Sequence, residues 1–324
     1  MDDIISQIKK NRDIKDSTLN QYKSSFKSLC KLLDNDDCSI DYFKKTDKVI
    51  KHINKLDKIT TKKNKLTSII VFMSSYGEKY KDEIEIYRNE LKSLNELYDQ
   101  QMKKQTKSDK QQQNWIDYDD IISVIKDLKR QMTIMKLNKK KILTKKERNV
   151  LQRYAFLVLF LEYPYRNDFH SLKKITQTEY DKIKDEHKGN WIISNKNNKP
   201  IKIVLHDYKT SKKYGMIEVD IPSKIGNVLK LHNKHNEDSE YLFNTINNQT
   251  KSFSSNAFTK YIQSIFYEYY PNKSIGTQLL RNIIASHLNK DEPSIEEKEK
   301  EEESVNKKFL HSKSVNEKVY SKKD

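Results

Sequence analysis

A chain of 324 residues is long enough for two domains that each bury a hydrophobic core. Lysine and arginine outnumber aspartate and glutamate 63 to 46, and the formal net charge of +17 favours a polyanionic partner, nucleic acid ahead of an anionic membrane surface. The sequence has no apolar run of about 18 residues and no apolar signal core at its N-terminus, which excludes a membrane-spanning helix and predicts a soluble, intracellular protein.

The first half of the chain is predicted to be almost entirely helical. Residues 1–160 contain one glycine, Gly77, and no proline, so few residues interrupt a helix there. Behind the capping candidates at 16–18, apolar residues recur at helical spacing: Leu19, Tyr22, Phe26, Leu29, Cys30 and Leu33. A second stripe of this kind runs over 84–98 and predicts another amphipathic helix.

A polar segment divides the chain. The sequence QMKKQTKSDKQQQN over 101–114 has almost no apolar residue to bury, a composition typical of a flexible, solvated connection. We therefore predict a helical N-terminal domain over 1–103, a linker over 104–114 and a second domain over 115–324.

The second domain is predicted to combine helices with a small sheet. One helix is expected from Tyr118 to about Met132, and a later stretch from Tyr154 to Leu161 is apolar all round, as in a core helix. Hydrophobicity then alternates with period two over 191–222, which predicts a hairpin with its turn at 211–215. Helical spacing returns after 223 and after 254. The predicted fold class is mainly α with a small antiparallel sheet.

A small set of residues in the second domain forms a recognisable series. Arg166 follows the predicted core helix in YPYRND, Arg281 ends QLLR, and His311 ends FLH, nine residues before Tyr320. Arginine is scarce, and after Arg153 only Arg166 and Arg281 occur. This series resembles the motifs of the tyrosine recombinases, the phage-type integrases. The resemblance spans nearly the whole chain, because the stripe over 18–29 is similar to the first helix of that family's core-binding domain.

The resemblance implies a role for each position. Tyr320 would be the nucleophile, His311 the late histidine, and Lys209 the lysine of the hairpin. Arg166 and Arg281 would be the two arginines, and Gln278 lies where the family usually has histidine. The family fold is a helical core-binding domain, which clamps DNA, and an α+β catalytic domain. Its enzymes join a DNA strand to tyrosine through a 3′ phosphate and release a 5′ hydroxyl, without a metal ion or ATP.

The chemistry explains why such residues are needed. Attack on a phosphodiester gathers negative charge on the phosphorus oxygens, which fixed guanidinium groups bind through paired hydrogen bonds. A tyrosine hydroxyl, with an ordinary pKa near 10, needs neighbouring cations to attack well. The leaving 5′ oxygen needs a proton, for which we select Lys209. Lys212 and Lys213 on the same predicted turn are the alternatives.

No cofactor or metal ion is expected. His232 and His235 form a short HxxH pair without an evident third ligand, and the sequence has no Gly-rich phosphate loop. The two cysteines, Cys30 and Cys38, lie outside any metal-ligand spacing and are expected to be reduced.

Several departures from the family pattern leave alternatives open. Gln278 lacks the imidazole, Leu310 stands where glycine is frequent, Asp168 follows Arg166 by two rather than three residues, and an acidic segment occupies 291–303. The first hypothesis is a site-specific recombinase or integrase that acts on double-stranded DNA as a homotetramer. The alternatives are a type IB topoisomerase-like nicking-closing enzyme and a catalytically weakened, recombinase-derived DNA-binding protein.

The residue usage also predicts an origin. Abundant lysine, asparagine and isoleucine are typical of an AT-rich genome, and the motifs resemble those of recombinases carried by large DNA viruses of protists or their mobile elements. A DNA-containing compartment, the host cytoplasm or nucleus if viral, is the expected location.

Overall fold

The computed structural model describes residues 6, 8–9, 14, 16–35, 37–103, 106–186 and 188–289. The chain divides into two compact units, Met1–Lys104 and Gln105–Asp324. The predicted fold class, mainly α with a small sheet, is confirmed. Two predicted site residues, His311 and Tyr320, and the acidic segment over 291–303 lie outside the described residues.

The described part of the first unit is helical. Its α-helices are α1 (Asp16–Leu32), α2 (Thr46–Asn54), α3 (Ile59–Ser74) and α4 (Lys81–Lys103), with 3₁₀ turns at Ile40–Lys44 and Gly77–Tyr80. The predicted stripe of α1 lies inward, since Leu19, Phe26 and Leu29 are buried. Phe26 stacks on Phe72 at 4.3 Å between ring centroids and contacts Phe43 at 5.0 Å. These three rings lie in the core of this unit.

We expect Phe26→Ala to destabilise the first unit strongly. The side chain is 1% exposed, so its removal leaves a cavity between two rings, at a cost of about 3–5 kcal/mol. Urea unfolding followed by circular dichroism measures the change. Ile86→Ala, at a side chain that is 44% exposed, is the matched control and should change stability little.

The described part of the second unit contains eight α-helices. They are α5 (Asp109–Asn114), α6 (Tyr118–Ile134), α7 (Lys145–Glu162), α8 (Gln177–Ile183), α9 (Ser211–Tyr214), α10 (Ser223–Lys234), α11 (Ser255–Tyr267) and α12 (Thr277–Leu288). The apolar stretch within α7 is buried in the core, as predicted.

The predicted connection is partly ordered. Helix α5 lies within the segment 104–114 that we expected to be a flexible linker. Ser108 accepts a hydrogen bond from the backbone N–H of Gln111, whose side chain accepts one from the N–H of Ser108. This capping box satisfies the free N–H groups at the start of the helix. The Asn114 side chain in turn accepts a hydrogen bond from the N–H of Ser274, at 2.5 Å.

Among the described residues, four strands form one sheet in the order β1-β2-β3-β4: Lys173–Thr176, Asn190–Ser194, Pro200–Leu205 and Ile217–Asp220. The predicted hairpin is β3-β4, with Ile203 opposite Val219 and Leu205 opposite Ile217. Its connection is not a tight turn, because it includes α9. The β1-β2 pair is parallel, a pairing that the predicted antiparallel sheet did not include. Strands β5 (Asn244–Thr245) and β6 (Asn248–Ser252) form a second, short pair.

Both faces of the sheet are covered. Ile203 and Leu205 belong to the main core of the unit, whereas Val204 packs with Tyr180 and Ile193 on the other face. The sheet is thereby fixed on both sides, which gives the β3-β4 connection a rigid base.

Two further sequence expectations concern the cysteines and membrane-spanning helices. Cys30 and Cys38 are both free, as expected. Within the described ranges, no helix is long and apolar enough to cross a membrane.

Candidate active site

A cavity of about 650 Å³ lies in the second unit. Its lining comes from α5, the segment after α7, the β3-β4 connection and the N-terminal turns of α11 and α12. Four of the six residues selected from the sequence line it: Arg166, Lys209, Gln278 and Arg281. These residues are distant in sequence, so the fold is what brings them to one surface.

Arg281 is fixed inside the protein. Its side chain is 0% exposed, and its Nε donates a hydrogen bond to the backbone oxygen of Pro164 at 2.7 Å. This bond joins α12 to the segment that leads directly to Arg166. A guanidinium held in this way keeps a fixed orientation, which binding of a charged oxygen requires.

A half-buried carboxylate, that of Asp168, accompanies the two arginines. Burial raises the pKa of Asp168 above its ordinary value, while the charges of Arg166, Arg281 and His170 act in the opposite direction. Desolvation penalises the charged carboxylate, and the nearby cations compensate for part of that penalty. Asp168 therefore belongs electrostatically to the arginine pair, although it is two rather than three residues after Arg166.

Asn167 joins three segments of the site. Its Nδ2 lies 2.9 Å from Ser255 Oγ, 2.9 Å from Thr259 Oγ1 and 3.1 Å from the backbone oxygen of Ser255. Its Oδ1 accepts a hydrogen bond from Thr277 Oγ1 at 2.7 Å. An amide nitrogen has two hydrogens, so these acceptors share them. Through this side chain, the segment next to Arg166 is tied to the N-terminal turns of α11 and α12.

We expect Asn167→Ala to lower the free energy of unfolding by about 1–3 kcal/mol, because the buried Thr277 hydroxyl loses its acceptor and Thr259 loses one of its two hydrogen bonds. Urea unfolding followed by circular dichroism measures the change. Asn197→Ala is the control, at an exposed position of the β2-β3 turn. An unchanged unfolding midpoint in Asn167→Ala would contradict this bridging role.

Lys209 lies on an anchored loop. At one end, the side-chain oxygen of Asn190 accepts hydrogen bonds from the N–H groups of His206 and Asp207, both at 3.0 Å. At the other end, Tyr208 Oη donates to the backbone oxygen of Gly215 at 2.7 Å. The side chain of Lys209 itself is exposed and lines the cavity.

The two alternative lysines are placed differently. Lys212 and Lys213 belong to α9 and are not among the described residues that line the cavity. This arrangement favours Lys209 among the three candidates.

Gln278 lies in the first turn of α12, one turn before Arg281. Its side chain is exposed, and its Nε2 donates to Asn282 Oδ1 at 3.3 Å. An amide can donate and accept hydrogen bonds but does not take up a proton near neutral pH. The position therefore contributes polarity without an ionisable group.

Sequence reasoning missed Asn167 and His170, which also line the cavity. Both lie within four residues after Arg166, and this closeness to a motif residue was the sequence signal that could have identified them. The partners of Asn167 are 88 to 110 residues away, a separation that no local pattern reveals.

The HxxH pair noted in the sequence, His232 and His235, does not line this cavity. Burial is the main cause that lowers the pKa of His232 to about 3, so the ring is neutral at physiological pH. Among the described residues, no three His, Cys, Asp or Glu side chains are grouped so that they could hold a metal ion. The absence of a cofactor or metal stays a prediction.

No protein-family model matches the chain, and no curated protein matches it. A solved structure described as that of XerA recombinase is similar over 98% of this chain and 93% of that chain, with 10% sequence identity and a TM-score of 0.40. At this identity and TM-score, we draw no conclusion about family or activity from the likeness.

Proposed function

We propose that the protein cuts and rejoins strands of double-stranded DNA through a covalent 3′-phosphotyrosine intermediate, with Tyr320 as the nucleophile. The observation that supports this most is the shared cavity of Arg166, Lys209 and Arg281. Sequence motifs alone select these residues, without any information on their positions in space. A chance selection from a chain with 63 basic residues would rarely fall on one surface.

The cavity offers the chemistry that strand cleavage needs. Its charged lining comprises Lys110, Arg166, Lys209, Arg281 and the carboxylate of Asp168. This excess of positive charge favours the binding of a phosphodiester. It also stabilises the transition state of cleavage, in which the phosphorus oxygens carry more negative charge than in the ground state. In the proposed reaction the two arginines bind the non-bridging oxygens, and Lys209 protonates the leaving 5′ oxygen. Tyr320 and His311, which lie outside the described residues, are proposed as the nucleophile and the late histidine of this reaction.

The charge of the whole chain supports a DNA partner. The net charge of +17 would release counterions when duplex DNA binds, which makes binding tighter at low salt. We assign the helical first unit, as a proposal, to a DNA clamp and the second unit to catalysis. A homotetramer on two sites and an origin in a virus or mobile element stay predictions from the sequence.

One observation favours a second candidate. Because Gln278 supplies an amide where the family motif has an imidazole, a weakened descendant that binds DNA without cutting it is the alternative. The topoisomerase-like activity involves the same covalent step and differs only in the fate of the cut strand.

The test begins with DNA that the protein selects from a randomised duplex pool. That sequence is then prepared as a nicked suicide duplex, from which the cut fragment diffuses away, and the products are run on a denaturing gel. We expect a covalent protein-DNA adduct that forms without added metal or nucleotide. Binding without an adduct would support the non-cutting alternative. Relaxation of a supercoiled plasmid lacking the selected site would support the topoisomerase-like activity.

A further inference from the structure

A larger cavity, of about 910 Å³, also lies in the second unit. Its walls are the end of β1, the β2-β3 turn, one face of α10 and the segment that follows α10. Ser194 lines it where β2 ends, opposite Pro200, whereas the connection that carries Lys209 follows the other end of the same strand pair. None of the described residues lines both cavities. The larger cavity is therefore separate from the candidate active site.

Lys174 brings a half-buried ammonium group to this cavity. It lies in β1, and its Nζ donates a hydrogen bond to the backbone oxygen of Asn236. Burial is the main cause that lowers the pKa of Lys174 to about 8, and the charges of Glu237 and Asp238 offset part of this effect. Among the described residues, no carboxylate forms an ion pair with this ammonium. It has three hydrogens, so the bond to Asn236 leaves two that a ligand can use.

One face of α10 adds two more lysines. Asn227, Lys230, Leu231 and Lys234 follow one another at steps of three, one and three residues, which places them on one side of the helix, and all four line the cavity. Lys230 and Lys234 are four residues apart, and like charges at this spacing destabilise a helix. Neither ammonium has a hydrogen-bond or ion-pair partner within the described part of the chain. An anion bound beside them would offset their repulsion.

The β2-β3 turn provides the opposite wall. Lys196, Asn197 and Asn198 all line the cavity from this turn. The Asn195 side chain fixes the turn, because its Oδ1 accepts hydrogen bonds from the N–H groups of Asn197 at 3.0 Å and Lys199 at 3.1 Å. The lysine adds a fourth positive charge, and the amides can donate and accept hydrogen bonds.

The charge and size of the cavity indicate which ligand fits. Four lysines and two glutamates, Glu179 and Glu237, line it. The carboxylate of Glu179 is already used, since it accepts hydrogen bonds from the N–H and the hydroxyl of Thr176 at 2.9 and 2.6 Å. Lysine binds phosphate groups as a point charge. The volume also lies within the range of about 300–1,000 Å³ that is typical of small-molecule sites.

We infer that this cavity binds a small molecule with several phosphate groups, which contact Lys174, Lys230 and Lys234. The asparagines of the β2-β3 turn and of α10 supply hydrogen-bonding groups for the rest of the ligand. The inference does not rest on the proposed function, because the ligand is neither a reactant nor a cofactor of DNA cleavage.

Isothermal titration calorimetry at low salt tests the inference with three probes: ATP, tripolyphosphate and adenosine. Low salt is used because salt screens phosphate contacts. We expect ATP and tripolyphosphate to bind and adenosine not to bind. Tighter binding of ATP than of tripolyphosphate would identify a nucleotide as the ligand, and equal binding would identify a bare polyphosphate. Either result supports the site.

Two variants locate the bound probe. Lys174→Met keeps an unbranched side chain but removes the charge, so ATP should bind about 10- to 100-fold more weakly through loss of charged hydrogen bonds. Lys230→Ala, at an exposed position where folding is not at risk, should weaken binding in the same direction. Lys224→Ala is the matched control, because Lys224 is an exposed residue of α10 that does not line the cavity. Circular dichroism verifies that each variant is folded.

Three results would overturn the inference. The first is a folded wild-type protein that binds neither ATP nor tripolyphosphate. The second is ATP affinity that stays unchanged in Lys174→Met and Lys230→Ala but is lost in Lys209→Ala, which would place the probe in the candidate active site. The third is a loss of duplex DNA affinity in Lys230→Ala without any binding of polyphosphate, which would identify a DNA-binding surface. None of these measurements uses the covalent adduct, so they are distinct from a failure of the proposed function.

Discussion

The variant Arg281→Lys should lose about 10²- to 10³-fold in the rate of DNA cleavage while the protein stays folded. Lysine keeps the positive charge, but it lacks the planar fork that lets one side chain bind a protein oxygen and a phosphate oxygen in fixed directions. The hydrogen bond to Pro164 uses Nε of this fork, and the side chain is wholly buried. A lysine at this position cannot reproduce both interactions. Single-turnover cleavage of the suicide duplex measures the effect.

The control for this substitution is Arg130→Lys. Arg130 is an exposed residue of α6 that donates hydrogen bonds to Asp127, and it does not line the cavity. We expect wild-type cleavage from this variant. Circular dichroism of Arg281→Lys distinguishes lost catalysis from lost folding. A folded Arg281→Lys protein with wild-type cleavage would contradict the proposed phosphate-binding role.

The variant Lys209→Ala should cleave ordinary DNA about 10²- to 10⁴-fold more slowly, because the leaving 5′ oxygen then departs without a proton. DNA with a sulfur atom in the bridging 5′ position should restore most of the lost rate, since a thiolate is a good leaving group without protonation. The cleavage rates of the wild-type protein and of Lys209→Ala are measured on the oxygen and the sulfur substrates in single-turnover conditions. A selective recovery identifies the step that Lys209 serves.

Lys213→Ala is the matched control for Lys209→Ala, since Lys213 lies in the same connection but does not line the cavity. It should cleave both substrates at wild-type rates. Equal defects of Lys209→Ala on the oxygen and sulfur substrates would exclude a proton-donor role. In that case Lys209 would bind the phosphate instead.

The helices and the hairpin were predictable from sequence because their signals are local. Apolar residues such as Leu19 and Phe26, which are buried, recur at helical spacing within one segment. The pairing of Ile203 with Val219 follows from the alternation of apolar and polar residues on two adjacent strands. The helix at 109–114 was missed because it has no apolar face. Its one signal was the Ser108 and Gln111 pair, which is the sequence form of a capping box.

Contacts between distant segments could not be predicted in this way. The parallel β1-β2 pair joins two short strands, and β1 is only partly buried along its length, so it has no strong hydrophobic pattern. Asn167 and His170 looked like ordinary polar residues. Their importance depends on Thr277, 110 residues from Asn167, and on a cavity formed by five segments. The motif residues were found because their order and residue type resembled a family pattern, which local periodicity does not supply.

The most direct test is to identify the residue that becomes attached to DNA. The adduct formed on the suicide duplex is digested with a protease and a nuclease, and the peptide that retains a nucleotide is sequenced by mass spectrometry. We expect the nucleotide on Tyr320 in the wild-type protein, no adduct from Tyr320→Phe, and an unchanged adduct from Tyr267→Phe, a control at an exposed tyrosine of α11. An adduct that persists in Tyr320→Phe, or a nucleotide attached to any other residue, would contradict the account.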